Sequence, residues 1–192
     1  MRLLFPVAAW PTALKVVSVI GTIGLLAAGF AAYRAIPAPS SFTHQFGLGV
    51  ALIPVAVLLG ALVFIVNGYA IEDDDLCVDR LFTSTKLPLA GLSRAWLEPA
   101  VCKGSMRIFG NAGLFSFTGL FYSKRLGCYR MFATDFSHAV VLVFPGRVVV
   151  ITPEKPHAFI EYLRHRFPNI ATTPLASDGE STSSGDALPD AK

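Results

Sequence analysis

Two uncharged apolar stretches decide the fold: VVSVIGTIGLLAAGFAAY at residues 16–33 and FGLGVALIPVAVLLGALVFIV at residues 46–66. As helices that rise about 1.5 Å per residue they would measure about 27 and 31 Å, close to the roughly 30 Å hydrocarbon thickness of a bilayer. Backbone amides in lipid must bond within their own segment, so we expect both stretches to be helical. Residues 34–45 between them contain two prolines and predict a turn. The sequence therefore predicts a transmembrane hairpin at residues 16–66.

The composition agrees with this interpretation. Hydrophobic residues make up 53% of the 192-residue chain and charged residues 15%, whereas globular domains average about 45–50% and about 25%. The excess lies in the two stretches, and residues 1–66 contain no acidic residue. A net charge of +3 is too small to indicate a nucleic-acid partner. Collagen-like, wholly disordered and disulfide-stapled classes are excluded.

The first stretch has an alternative interpretation as a cleaved signal peptide. Its apolar run begins only after Lys15 and two prolines, however, and it is longer than a typical signal core. We therefore favour a retained helix, preceded by an N-terminal interfacial segment at residues 1–15. Neither stretch contains Asp, Glu, Lys, Arg or His, so we expect the hairpin to anchor the chain and not to conduct ions or protons.

From Asn67 onward the sequence is typical of a mainly-β domain, which we place at residues 67–168. Short runs of β-branched or aromatic residues are separated by Gly, Pro, Asp or Ser, the pattern of strands joined by turns. Besides the runs around Tyr69 and Val78, they lie at residues 86–89, 94–97, 119–122, 129–133, 139–144 and 147–151. We expect about seven antiparallel strands in a barrel or sandwich.

A C-terminal amphipathic helix is predicted to cap this β domain. Thr152 is a candidate N-cap, Pro153 a candidate first helical residue, and Glu154 would lie at the positive end of the helix dipole. The apolar face that we expect to enter the core comprises Phe159, Ile160, Leu163 and Phe167. Pro168 ends the helix, and residues 169–192, rich in Ser, Thr, Gly, Pro and acids, predict a disordered tail.

The sequence offers no assembled catalytic, cofactor or metal site. His157, Glu161 and His165 share one side of the terminal helix, but zinc enzymes pair their histidines more closely and in a cleft, so we interpret this stripe as a solvated face. The three cysteines, which form no CxxC pair, are Cys77, Cys102 and Cys128. Phosphate-binding glycine motifs and a GxSxG elbow are missing. We expect no enzyme activity, no cofactor and no metal.

Three clusters are candidates for an interaction surface. They are the acidic turn Asp73, Asp74 and Asp75, the basic tip Lys124 and Arg125, and the aromatic pair Phe115 and Phe117. The aromatic pair lies in the glycine-rich segment at residues 104–121. Beside a bilayer this segment could enter the lipid interface or pack on a partner subunit. The alternative, which we favour, is a bulged and tightly turning hairpin.

Residues 67–168 resemble a bacterial PH-like domain, of the type that follows paired membrane helices in bacterial proteins. The matching pieces are Tyr69-x-Ile71, Gly113-Leu114-Phe115, Gly119-Leu120-Phe121, Leu126-Gly127-Cys128-Tyr129, Met131-Phe132-Ala133-Thr134 and Ile151-Thr152-Pro153-Glu154-Lys155-Pro156-x-x-Phe159. The last of these is the most specific. The resemblance implies a PH-type barrel or sandwich with a C-terminal helix, and it carries over no catalytic residues.

These observations together predict a membrane-anchored, non-catalytic interaction module that binds a protein partner or a second copy of itself. Lipid-headgroup sensing is the alternative, which the acidic first hairpin disfavours because carboxylates repel phosphate. A metal-dependent enzyme that uses the His157 face is a remote alternative. The expected partners are the bilayer and an unidentified protein or homo-oligomer.

The charge distribution predicts the topology. Two spans place both ends of the chain on one side of the membrane. Basic residues there are Arg2, Lys15, Arg80 and Lys86, against Arg34 alone in the turn. The positive-inside rule therefore favours a multi-pass protein of the bacterial inner membrane with a cytoplasmic β domain.

Overall fold

The computed structural model describes residues 2–36 and 42–174. The helices are α1 (Thr12–Arg34), α2 (Phe42–Val63) and α3 (Pro156–Arg166). The strands are β1 (Arg2–Pro6), β2 (Val66–Glu72), β3 (Asp75–Arg80), β4 (Ser84–Pro88), β5 (Arg94–Leu97), β6 (Met106–Leu114), β7 (Ser116–Ser123), β8 (Gly127–Ala133), β9 (Val140–Phe144) and β10 (Arg147–Ile151). Most of the predicted tail, residues 175–192, and residues 37–41 of the predicted turn lie outside the described residues.

Helices α1 and α2 are the two apolar stretches, and both are long and apolar enough to cross a membrane. They pack side by side, and a Cβ at Gly29 would lie 3.2 Å from the Ala51 carbonyl oxygen, so a small residue permits their close approach. Each helix begins four residues earlier than predicted, and α2 ends at Val63 and not at Val66. Val66 already belongs to β2, which is buried at this point.

The β domain is a sandwich of two sheets and not a closed barrel. The first sheet has the antiparallel order β1-β2-β3-β4, and the second has the order β5-β9-β10-β8-β7-β6. Strands β8 and β10 pair in parallel, whereas the sequence predicted only antiparallel pairs. Within the described residues there are ten strands in place of about seven. The sequence did not predict β1, which precedes the helices, and it predicted β6 only as part of a bulged hairpin, because the glycines of β6 disguise its strand pattern.

Strand β1 comes from the predicted interfacial segment. It pairs antiparallel with β2 from Arg2 opposite Glu72 to Pro6 opposite Gly68. The pairing continues beyond β1, because Val7 bridges Pro153 and Glu154 N donates to Pro6 O. The chain therefore begins inside the β domain, leaves it through α1, and returns through α2.

Helix α3 begins at Pro156, so the prediction of Thr152 as N-cap and Pro153 as first helical residue is wrong. The reason is that residues 152–154 stay extended and pair with the N-terminal segment. Phe159 and Leu163 are fully buried in the core between the sheets, and the half-buried Ile160 and Phe167 pack against it. The core residue Phe159 meets the ring of Phe5 edge to face at 4.9 Å.

Residues just beyond α3 also belong to the folded domain. Ile170 is 7% exposed and lies in the same core cluster as Phe159. The Ala171 amide donates to Ser93 O, and the Ala95 amide donates to Ala171 O at 2.9 Å. The part of the predicted tail at residues 169–171 is thus packed along β5.

This packing predicts that substitutions at two adjacent positions lower the free energy of unfolding by unequal amounts. Ile170→Ala should lower the free energy of unfolding by about 2–4 kcal/mol, because it removes buried apolar contacts. Asn169→Ala, at the adjacent exposed position, should change it by less than about 0.5 kcal/mol. Chemical denaturation of both variants measures the difference, and equal stabilities would show that the segment does not dock.

Candidate functional site

The junction between the helices and the β domain is the first feature of the candidate site. Only Phe64 and Ile65 separate the end of α2 from the start of β2. The Phe64 carbonyl accepts hydrogen bonds from the Ser116 hydroxyl at 2.7 Å and the Thr118 hydroxyl at 3.1 Å. Carbonyls at a helix C-terminus lack intrahelical partners, so β7 supplies the missing donors.

The turn between β6 and β7 contacts the other helix. The Phe115 amide donates to the Ser18 hydroxyl at 2.9 Å, and the Phe115 ring lies 6.2 Å from that of Trp10. Asn111 shapes this turn, because its side chain bonds both the amide and the carbonyl of Leu114. One β-hairpin thus holds α1 through its turn and α2 through its second strand.

Close backbone approach makes this hairpin possible. A Cβ at Gly119 would lie 2.1 Å from the Phe109 carbonyl oxygen, and one at Gly110 would lie 2.3 Å from the Thr118 carbonyl oxygen. Both glycines have positive φ, which L side chains rarely adopt. Register shifts follow Arg107 and Ala112, so the interpretation of the glycine-rich segment as a bulged hairpin is confirmed.

A buried polar network lies where the N-terminal segment passes from β1 to α1. The Tyr69 hydroxyl donates to Phe132 O at 2.6 Å and accepts from the Thr152 amide at 3.0 Å. The Thr134 hydroxyl donates to Ala8 O at 2.7 Å. Burial raises the pKa of Tyr69 to about 12, although its bonds with Thr152 act in the opposite direction. This network fixes the segment from which α1 starts.

The predicted aromatic pair is divided between two environments. Phe115, at φ 69°, contacts Trp10 beside α1. Phe117 lies 4.4 Å from the ring of Phe136 and packs against the core cluster on the outer face of the second sheet. Both rings are half-buried by contacts within the chain.

The acidic turn joins β2 to β3 at the end of β2 away from α2. Asp73 occupies the turn at φ 56°, and Asp74 forms a 2.8 Å ion pair with Arg166 of α3. Glu72 lies 3.7 Å from Lys86. Because β2 has seven residues, the turn lies roughly 20 Å along the strand from the helix end. Two basic residues of the same chain therefore offset part of the acidic charge.

The basic tip is the turn between β7 and β8. Arg125 forms a 2.7 Å ion pair with Glu98, whereas Lys124 is exposed. The tip follows the eight residues of β7, whose first residue contacts Phe64. The structure consequently separates the acidic turn, the basic tip and the aromatic pair, and it does not assemble them into one surface.

Groups with catalytic potential do not form a reaction centre in the described part of the chain. Ser137 and Asp135 both contact the Nδ1 atom of His138, at 3.0 and 3.1 Å, whereas a Ser-His-Asp relay uses both ring nitrogens. Asp135 instead caps the short 3₁₀ turn at Phe136–His138. Hydrogen bonds from Ser137 and His138 outweigh the opposing effect of burial and lower the pKa of Asp135.

Metal-ligating side chains and thiols are the remaining candidates for chemistry in the described residues. His165 lies 3.9 Å from Glu161 on an exposed face, and the described residues contain no group of three His, Cys, Asp or Glu side chains suited to a metal. Burial raises the pKa of the Cys102 thiol to about 11 and also raises that of Cys77. These two thiols are therefore protonated at neutral pH and poorly nucleophilic.

The sequence analysis missed the residues that build the junction. The signal on α1 was Ser18, a hydroxyl residue within an apolar stretch, which the structure buries. Ser116 and Thr118 alternate with Phe117, which places both hydroxyls on one face of β7 toward Phe64. The sequence does not show which carbonyl they bind.

The hairpin geometry predicts a position-specific effect of adding one methyl group. Gly119→Ala should lower the free energy of unfolding by about 2 kcal/mol or more, because the Cβ clashes with backbone and the φ is unfavourable. Gly68→Ala is the control, since its Cβ would meet only Phe5 O at an ordinary 3.6 Å. Thermal unfolding of the purified chain measures both, and similar melting temperatures would contradict the close strand crossing.

The β domain has a counterpart among known protein families. A search of the curated proteins and of the solved structures found no match to this chain. A scan against protein-family models matches the bacterial PH domain at residues 67–167, which is more than half of the 192 residues. The match covers β2 to α3 and agrees with the resemblance seen in the sequence. The chain therefore belongs to the bacterial PH domain family.

Proposed function

We propose that this protein is a membrane-anchored, non-catalytic interaction module. Helices α1 and α2 cross the bilayer, and the PH-like domain binds a protein partner or a second copy at the membrane surface. The family itself suggests an interaction module. The observation that carries the proposal is the junction, where one β-hairpin bonds to both apolar helices and holds the domain beside them.

The exposed surface of the helices supports membrane anchoring. Large apolar side chains point outward along both helices, among them Ile20, Ile23, Phe30, Phe46, Leu52 and Leu59. Exposing such a continuous apolar surface to water is unfavourable, and a bilayer would cover it.

Strand β1 supports a retained first helix and not a cleaved signal peptide. Signal cleavage after α1 would remove Arg2–Pro6, which pairs with β2 over five residues. It would also remove Ala8, which bonds to Thr134 and Thr152 inside the domain. The segment before the first span is thus part of the fold that follows the second span.

The edge of the second sheet is the best candidate for the partner surface. Strand β6 is the last strand in its sheet, so one side of its backbone has no strand partner in the described residues. Met106 is 67% and Ile108 54% exposed. An apolar edge strand can pair with a strand of another chain through main-chain hydrogen bonds.

Headgroup sensing through the basic tip is less well supported. Arg125 is already paired with Glu98, and the tip lies one strand length from the end of α2. The acidic turn lies roughly 20 Å along β2 from the helix end, beyond a Debye length of about 8 Å, and supplies no positive charge for a headgroup. Phe115 and Phe117, also candidates from the sequence, pack within the chain, Phe115 beside Trp10 at the junction and Phe117 against Phe136.

Localisation to the bacterial inner membrane with a cytoplasmic β domain predicts a clear reporter pattern. A green fluorescent protein fused after Lys192 should fluoresce, because that reporter folds in the cytoplasm, and an alkaline phosphatase fused there should be inactive. A phosphatase fused within residues 37–41 should be active. The reverse pattern would contradict the cytoplasmic orientation.

The partner surface predicts the effect of a charged residue on the β6 edge. Ile108→Lys should abolish cross-linked complexes of the full-length chain in native membranes, because a lysine on an edge strand opposes strand pairing. Tyr122→Lys places the same charge on an exposed position of the interior strand β7 and should leave the complexes intact. Mass spectrometry identifies the complexes, and their survival in Ile108→Lys would contradict the proposed edge.

A further inference from the structure

A cavity of about 460 Å³ lies beside the end of α2, between the two sheets. Phe64 forms its helix side, Arg80 of β3 contributes from the first sheet, and Arg130 of β8 contributes from the second. Thr118 and Phe109 also line the cavity. The cavity is distinct from the basic tip and the acidic turn.

Arg80 is held in place without an ionic partner. Its guanidinium lies 5.1 Å from the centre of the Phe132 ring and donates to the Thr85 hydroxyl. Its Nε atom is buried and has no hydrogen-bond partner. Burial first, and the charge of Arg130 second, lower the pKa of Arg80. Two cationic groups therefore influence each other at this cavity.

Acidic side chains do not compensate these two arginines in the described residues. Neither guanidinium there forms an ion pair, and the neighbouring Asp79 is paired with Arg2 at 2.6 Å. The C-terminal end of α2 offers partial negative charge, but the Phe64 carbonyl already accepts two hydroxyl donors. The cavity is thus lined by two arginines that form no ion pair in the described residues.

We infer that this cavity binds a phosphate oxyanion, supplied by the headgroup of an anionic membrane lipid. Guanidinium groups bind phosphate oxygens through paired, charge-assisted hydrogen bonds, and an anion between Arg80 and Arg130 would relieve their repulsion. Because neither arginine forms an ion pair in the described residues, both guanidinium groups keep donors for the oxygens of this anion. This role adds lipid recognition to the interaction module proposed above.

The position of the cavity favours a lipid over a soluble phosphate. It adjoins Phe64, the first residue after α2, and therefore lies at the level where the proposed span leaves the bilayer. Nearby apolar side chains are unusually exposed, since Phe109 is 73% and Phe82 69% accessible. Acyl chains would cover these rings while the headgroup enters the cavity. The lipid source thus rests on the membrane anchoring proposed above.

Lipid retention by the full-length chain tests the inference. The protein is placed in nanodiscs of phosphatidylcholine mixed with phosphatidylglycerol, and native mass spectrometry measures the phosphatidylglycerol that stays bound on release. Arg130→Gln should weaken retention by about tenfold, the loss expected for a charge-assisted hydrogen-bonding group. Arg130 is exposed, so this variant should fold normally, and its melting temperature verifies that.

Matched variants separate the site from general charge effects. Arg164→Gln removes the same charge from an exposed position on α3 and should retain phosphatidylglycerol like the unaltered chain. Arg80→Lys keeps the charge but loses the planar donor pair, and it should show intermediate retention. Equal retention by all variants would overturn the arginine site.

Two further outcomes separate a lipid headgroup from soluble phosphate and test the membrane anchoring proposed above. Stabilisation by inorganic phosphate in detergent, without retention of phosphatidylglycerol, would overturn the lipid assignment. Failure of the chain to enter nanodiscs would contradict the membrane anchoring and with it the lipid source. Entry without a difference between Arg130→Gln and Arg164→Gln would contradict the arginine site alone.

Discussion

The structure depends on one constraint: the carbonyl of Phe64, where α2 ends, is bonded by two hydroxyls from β7. Because only two residues link α2 to β2, the β domain has no flexible tether, and its orientation follows that of the helices. The contact of Phe115 with Ser18 extends the same constraint to α1. A domain held in this way presents a fixed set of surfaces at the end of the helices, which is the basis of the function proposed here.

The order of the chain strengthens this constraint. Strand β1 precedes the first helix, yet it completes the first sheet, and the segment after it bonds to Thr134 and Thr152 in the domain core. The two helices are therefore inserted between two segments of the chain that both belong to the β domain. Movement of either helix relative to the sheets would break hydrogen bonds on both sides of the junction.

Local patterns predicted the elements that local forces determine. The apolar stretches, the strands at residues 139–144 and 147–151 and the family resemblance could all be predicted from the sequence. Long-range pairing could not be predicted, because β1 pairs with β2 some 60 residues away, across two helices, and residues 169–171 of the predicted tail pack along β5. The residues that follow Thr152 resemble the start of a helix, but the Thr152 hydroxyl accepts from the Thr134 amide in the buried polar network instead. Arg80 and Arg130 line the same cavity only because the two sheets face each other.

Cross-linking between α1 and the β6–β7 turn tests the fixed junction most directly. Ser18→Cys and Phe115→Cys are combined in a chain whose Cys77, Cys102 and Cys128 are replaced by serine, and a short thiol-specific cross-linker is added to native membranes. The account predicts an intramolecular cross-link that needs both introduced cysteines, because Ser18 Oγ lies 2.9 Å from the Phe115 amide. Full labelling of each cysteine by a monofunctional reagent, with no cross-link between them, would contradict it.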